Sequence, residues 1–202
     1  MSLELRKRII LHNKEGEVTY DSGDLPSHSF VKGFLQGMQL TYGNVVAPLA
    51  EFKTVAGALY TPNVDTIWST ADYPFSVDND LDNALWGILL GDDDTTPEEN
   101  DNFRLDSVIE AGAAAGQVNY GITQWDAGTT IDGNEVRWSF NRTMTNNSGA
   151  GVTVKEIGAY VRIFNSPLLY VMILRDIITP SITIPTGETM TVQYTVKTDV
   201  TV

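Results

Sequence analysis

Side-chain alternation over the second half of the chain constrains its fold most. Met190, Val192, Tyr194 and Val196 alternate with Thr191, Gln193, Thr195 and Lys197, the cleanest two-residue period in the sequence. Such a period sets one face of a strand against a core and the other toward water. Val136, Trp138 and Phe140 repeat it against Glu135, Arg137, Ser139 and Asn141, and Val118, Tyr120 and Ile122 do so more briefly before Trp125. Turn clusters separate these runs: Asp132-Gly133-Asn134, Asn146-Asn147-Ser148-Gly149, Asn165-Ser166-Pro167 and Pro185-Thr186-Gly187. Residues 152–154 and 157–161 add strand sequence, and residues 168–174, apolar on both faces, read as a central strand. Strands at such short intervals predict a mainly β chain, an antiparallel β-sandwich of jelly-roll-like form. Residues 200–202 are still strand-like, so the last strand is expected to close the fold.

The first part of the chain is read differently. Leu5, Ile9 and Leu11 stand at odd positions, Asn13-Lys14-Glu15-Gly16 supplies a turn, and residues 17–20 run back, which predicts an N-terminal β-hairpin. Phe30, Val31, Phe34, Leu35 and Met38 then fall at helical spacing, giving one short helix with Ser27 or Ser29 to cap it and Gly43 past its end. Gly33 and Gly37 each weaken that helix by about 1 kcal/mol relative to alanine, so it depends on packing. As small residues four apart, they also admit the close approach of another backbone. Residues 52–59 and 65–69 predict short strands, residues 85–90 a buried strand and residues 95–102 an acidic loop. Residues 107–113 fit either a helical turn or an irregular strand. Residues 1–45 are thus expected as a hairpin-and-helix docking element, with Phe30, Phe34 and Met38 as its contact residues, and residues 46–202 as the sandwich body.

Composition excludes several functions. The 202 residues carry 13 basic and 26 acidic side chains, a net charge of −13. Nucleic-acid binding and docking on an anionic membrane both need a positive surface, so neither partner is expected. Arg6-Lys7-Arg8 is followed only by Ile9-Ile10-Leu11, too short a stretch for a secretory leader. No run approaches the about 20 apolar residues of a membrane helix. There is no cysteine, which removes disulfides, thiol catalysis and thiolate-bound zinc, and His12 and His28 are the only imidazoles.

Several clusters are candidates for chemistry. Asp78, Asp80 and Asp82 open like a calcium loop, but Asn83 and Leu89 stand where an EF-hand needs glycine and glutamate. What remains is a looser structural Ca2+ site, set against a solvated acidic loop. Asp92-Asp93-Asp94 with Glu98, Glu99 and Asp101 reads as a surface loop or as a contact for a basic partner. Trp125, beside Asp126 and a glycine-bearing loop, is the candidate ligand-binding aromatic, whereas Trp86 and Trp138 read as core. Asn141-Arg142-Thr143 and Asn146-Asn147-Ser148 match the glycosylation pattern. The chain has no G-x-S-x-G, H-E-x-x-H, phosphate loop or G-x-G-x-x-G, so no catalytic residues are assigned and the protein is expected not to be an enzyme. A carboxylate-based hydrolase would need two acids facing one cleft.

One set of passages runs through the second half of the chain: Trp86-Gly87-Ile88-Leu89-Leu90-Gly91, Gly116-Gln117-Val118-Asn119-Tyr120-Gly121, Arg142-Thr143-Met144-Thr145-Asn146-Asn147-Ser148-Gly149, Val152-Thr153-Val154-Lys155-Glu156-Ile157-Gly158-Ala159-Tyr160, Leu174-Arg175-Asp176, and the stretch from Ile182 to Tyr194. With these, residues 85–198 resemble a recurrent type of structural protein in the virions of tailed bacteriophages and related prokaryotic viruses. The resemblance implies a head, neck or tail component that forms a symmetric homo-oligomer, docks to other virion proteins, and is assembled in the host cytoplasm. A tail-fibre or tail-tip module for host-surface carbohydrate is the alternative. Glu156 and Arg175 place charge inside otherwise apolar strands and are expected to pair across neighbouring strands, serving register.

Overall fold

A computed structural model describes residues 3–27, 30–43, 51–60, 77, 80–126, 128–163 and 168–199. The chain is mainly β, and every ladder between its strands is antiparallel. Two sheets lie in a sandwich-like arrangement. The larger is built on β1 (Leu3–His12), β13 (Thr189–Asp199) and β10 (Glu135–Thr145). On its outer sides, β2 (Val18–Asp21) and β3 (Leu25–Pro26) pair with β1, while β7 (Asn119–Tyr120), β8 (Gln124–Trp125) and β9 (Thr130–Asp132) pair in turn with β10. The smaller sheet has the order β12 (Leu169–Ile184), β11 (Val152–Ile163), β6 (Gly87–Gly91).

Register explains the core. Side chains in line across the large sheet form rows on its inner face: Leu11, Met190, Met144 and Tyr120; then Ile9, Val192 and Arg142; then Lys7, Tyr194, Phe140 and Trp125. These rows face β6 and the apolar side chains of β11 and β12, and nearly all their members are buried. The outer face carries the alternate residues, among them Thr191, Gln193, Thr195, Ser139 and Asn141. Two hydroxyl pairs cross it, Ser139 with Thr195 at 2.8 Å and Thr145 with Thr189 at 2.9 Å.

β1, which opens the segment expected as a docking element, lies inside the large sheet and pairs with β13 from Leu3 to His12. Two expectations are corrected. The apolar run at residues 168–174 is not a central strand. It begins β12, at the border of the small sheet, where the main chain of Val31 and Val55 and the Phe30 bridge to Leu174 cover the open edge. Residues 52–59 form no single strand but a small hairpin of β4 (Phe52–Lys53) and β5 (Leu59–Tyr60), turned at Gly57 with φ 81°. Residues 107–113 are irregular extended chain, bridged at Val108 to Gly91 and at Ala111 to Val118. The strand expected at residues 65–69 lies outside the described residues.

Helix α1 (Lys32–Gly43) packs on β12, and Gly33 sets the distance. A Cβ there would run into the Met172 carbonyl oxygen and the Val171 side chain. Phe30 and Phe34, stacked with ring centroids 4.0 Å apart, are half-buried and pack against the protein's own core. Met38 is half-buried, and Leu35 is 63% exposed. Gly33→Ala is expected to lower the thermal unfolding midpoint, although alanine favours an isolated helix by about 1 kcal/mol. A raised midpoint would show that the backbone contact does not fix the helix.

Candidate functional site

Three buried cations sit at strand positions that the period assigns to apolar side chains. Arg142 follows Val136, Trp138 and Phe140 on the inner face of β10 and is fully buried. Its guanidinium donates to the carbonyls of Gly121 at 2.7 Å, Asn83 at 2.7 Å, Ile88 at 2.9 Å and Trp86 at 3.3 Å. It also lies 4.5 Å from the Tyr120 ring centre. Burial pulls Arg142 down to about 10, which leaves it charged at neutral pH. Among the described residues its hydrogen-bond partners are backbone oxygens, and they fasten the entry to β6 onto the large sheet.

Arg175, on β12, is also fully buried and pairs with Glu156 on β11, with Nε at 2.9 Å and Nη2 at 2.8 Å from Oε2. In register Gly158 faces Arg175 and Ile177 faces Glu156, so the pair is diagonal across neighbouring strands. Arg175 reaches further, to the carbonyls of Thr96 and Pro97, to Asn102 Oδ1 and to Asp106. Glu156 accepts in addition from the Asp106 main-chain N–H at 2.6 Å. Burial pushes the Glu156 carboxyl up, against the pull of Arg175. Burial also works against ionisation at Asp106, but hydrogen bonds from Thr96 and the charge of Arg175 outweigh it and hold that carboxyl low. The acidic loop is therefore anchored through its own carbonyls. The third cation, Lys7, reaches Asp176 across the two sheets at 2.8 Å.

Two features face solvent. On the outer face of the large sheet lies a trough of about 430 Å³, lined in part by Arg8, Arg137, Lys197, Asp126 and Glu135. Its charges are already matched: Arg8 with Asp21, whose carboxyl Arg8 holds down at about 2, and Arg137 and Lys197 with Glu135. Asp126 accepts from Asn141 and Gln193. On the inner face, aromatic rings step outward from the core: Tyr194 to Phe140 at 5.7 Å, Phe140 to Trp125 at 5.5 Å, and Trp125 to Trp138 at 5.4 Å. Trp125 is 51% exposed. The next row outward, Leu3, Thr198, Val136 and Ile131, ends with Ile131 75% exposed.

Other sequence candidates fare differently. Asp80 and Asp82 are exposed, Asp82 accepts from Asn119, and Asp78 lies outside the described residues. Among the described residues no three or more His, Asp or Glu side chains gather as a metal would require. Trp86 is buried and stacked on Tyr170, and Trp68 lies outside the described residues. Neither glycosylation pattern offers a free amide. Asn146 is fully buried, its Nδ2 donating to the carbonyls of Ala150 and Ile184, and Asn141 Nδ2 is bound to Asp126. Lys7 and Arg142 were missed as polar centres. The signal was a charge at an apolar-phase position, Lys7 between Leu5 and Ile9, and Arg142 between Phe140 and Met144.

Comparison with protein-family models, with curated proteins and with solved structures finds no match for this chain.

Arg175→Met leaves Glu156 buried without its cation and frees the oxygens of the acidic loop. The expected loss is about 3–5 kcal/mol in urea unfolding, with new protease cleavage inside residues 92–106. A loss below about 1 kcal/mol would mean that the pair adds nothing beyond its desolvation cost.

Proposed function

We propose that this protein is a non-enzymatic structural component of a tailed-phage particle, in its head, neck or tail, that self-associates and docks to other particle proteins. The observation that carries this reading is the uncovered end of the large sheet's inner face. There, Trp125, Ile131 and Leu3 are exposed in continuity with the buried core, on a chain with net charge −13. Aromatic and aliphatic side chains gathered on one face mark surfaces that bind partners. The passages that carry the virion resemblance support the same reading from another side, because their distinctive residues build the fold. Arg142, Asn146, Glu156 and Arg175 each make buried hydrogen bonds that fix loops and register.

A carbohydrate-binding module is the second reading, favoured by the half-exposed Trp125 and by the polar trough that its chain neighbour Asp126 lines. Silence on a glycan array, with no quenching of tryptophan fluorescence by any sugar, would remove it.

For the assembly reading, light scattering is expected to give a mass that rises with concentration toward a ring or another symmetric cluster. Ile131→Asp should weaken that association by about tenfold or more while leaving the circular dichroism of the chain unchanged. A strict monomer at high concentration that also binds no other particle protein would overturn the reading.

A further inference from the structure

Lys7 and Asp176 meet between the two sheets. Lys7 projects from the inner face of β1, in register with Tyr194, and its Nζ lies 2.8 Å from Asp176 Oδ1 on β12. Asp176 is fully buried and Lys7 nearly so. The other carboxylate oxygen, Oδ2, accepts from the Ser27 hydroxyl at 2.7 Å and from the Tyr194 phenol at 2.9 Å. Burial and the neighbouring Asp176 charge push the Tyr194 phenol well above its ordinary value, so it stays protonated and remains a donor. One oxygen of a buried carboxyl is thus held against an amine, and the other is held by two hydroxyl groups.

We propose that Lys7 and Asp176 condense into an intramolecular isopeptide bond that ties β1 covalently to β12. The ammonium first passes a proton along its hydrogen bond to Oδ1, giving a neutral amine and a carboxylic acid. Nζ then attacks Cγ, and the negative charge that develops on Oδ2 is met by Ser27 and Tyr194, which act as an oxyanion hole. A second proton moves from Nζ to Oδ1, the Cγ–Oδ1 bond breaks and water leaves. Of the three ammonium hydrogens, one stays on the amide and two depart with the oxygen. Lys7 also lines a groove of about 260 Å³ with Ile9, Tyr20, Leu25 and Pro26, which gives the water a way out.

Two effects drive the reaction. Fixing amine and carboxyl in contact turns a bimolecular condensation into an intramolecular one, for which effective molarities of about 10⁵ M and above are reached. The product also replaces a buried ion pair, with its desolvation cost, by a neutral amide. The step needs no partner and is independent of the assembly reading.

Intact-mass spectrometry of the purified full chain tests it. After incubation at neutral pH, the denatured wild-type chain is expected to be lighter than its sequence mass by one water. A protease digest should contain a branched peptide that joins Lys7 to Asp176. Lys7→Arg, which keeps the charge but cannot condense, should show the full sequence mass. Tyr194→Phe should slow formation of the bond by about a hundredfold, the usual loss for one oxyanion donor. Asp176→Asn should reach the wild-type product by losing ammonia instead of water. A wild-type chain that keeps its full sequence mass after prolonged incubation, with no branched peptide, would overturn the proposal whatever the variants do.

Discussion

The structure depends on cations placed where a sandwich expects hydrocarbon. A strand facing the core between two sheets can carry a charge only if oxygens are delivered to it there, because an unpaired buried ion costs several kcal/mol. Lys7, Arg142 and Arg175 meet that condition in three different ways. Arg142 uses main-chain carbonyls, Arg175 a carboxylate together with loop carbonyls, and Lys7 a carboxylate from the opposite sheet. Two of these solutions fix segments that have little regular hydrogen bonding of their own. Arg142 holds the approach to β6, Arg175 holds the acidic loop, and Lys7 holds the first strand against the small sheet.

These anchors also explain how an acidic chain keeps its long loops ordered. Loop carboxylates repel one another, and the loop of residues 92–101 carries the densest set in the sequence. Arg175 acts on that loop from beneath, through Thr96, Pro97 and Asn102, so the acidic side chains stay in solvent while the main chain is held. Glu98 turns back and accepts from the Ile177 main-chain N–H, which occupies a donor on β12. In this way the border of the small sheet is closed by loops and not left open for another strand.

Much of the fold was legible in the sequence because alternation is a direct record of burial. Met190 through Val196, Val136 through Phe140 and the odd positions of β1 all point inward as their period requires. The glycine spacing in α1 likewise reported a close backbone approach, which proves to be Gly33 against Met172. Topology was not legible, since nothing in residues 3–12 says that the strand will lie beside β13 and not stand apart with its hairpin partner. Strand neighbours are set by long-range pairing, and period alone carries no information about it. The buried polar centres were half legible. Glu156 and Arg175 interrupt apolar runs visibly, while Lys7 stands within the basic triplet Arg6-Lys7-Arg8 and Arg142 within the glycosylation pattern Asn141-Arg142-Thr143. In both cases the position in the period, not the local composition, held the information.

That distinction bears on how the sheets are joined. Hydrophobic burial presses two layers together but is indifferent to small sliding motions, because apolar contacts have little direction. Hydrogen-bonded charges have direction, and a few of them between layers select one alignment among many of similar packing quality. Lys7 with Asp176, and Arg142 with the carbonyls of Trp86 and Ile88, cross from one sheet to the other at separate places. Two such links fix both the offset and the angle between the layers. The same inner face ends in exposed side chains at Leu3 and Ile131, so the direction of its alignment is carried by the buried charges and not by that rim.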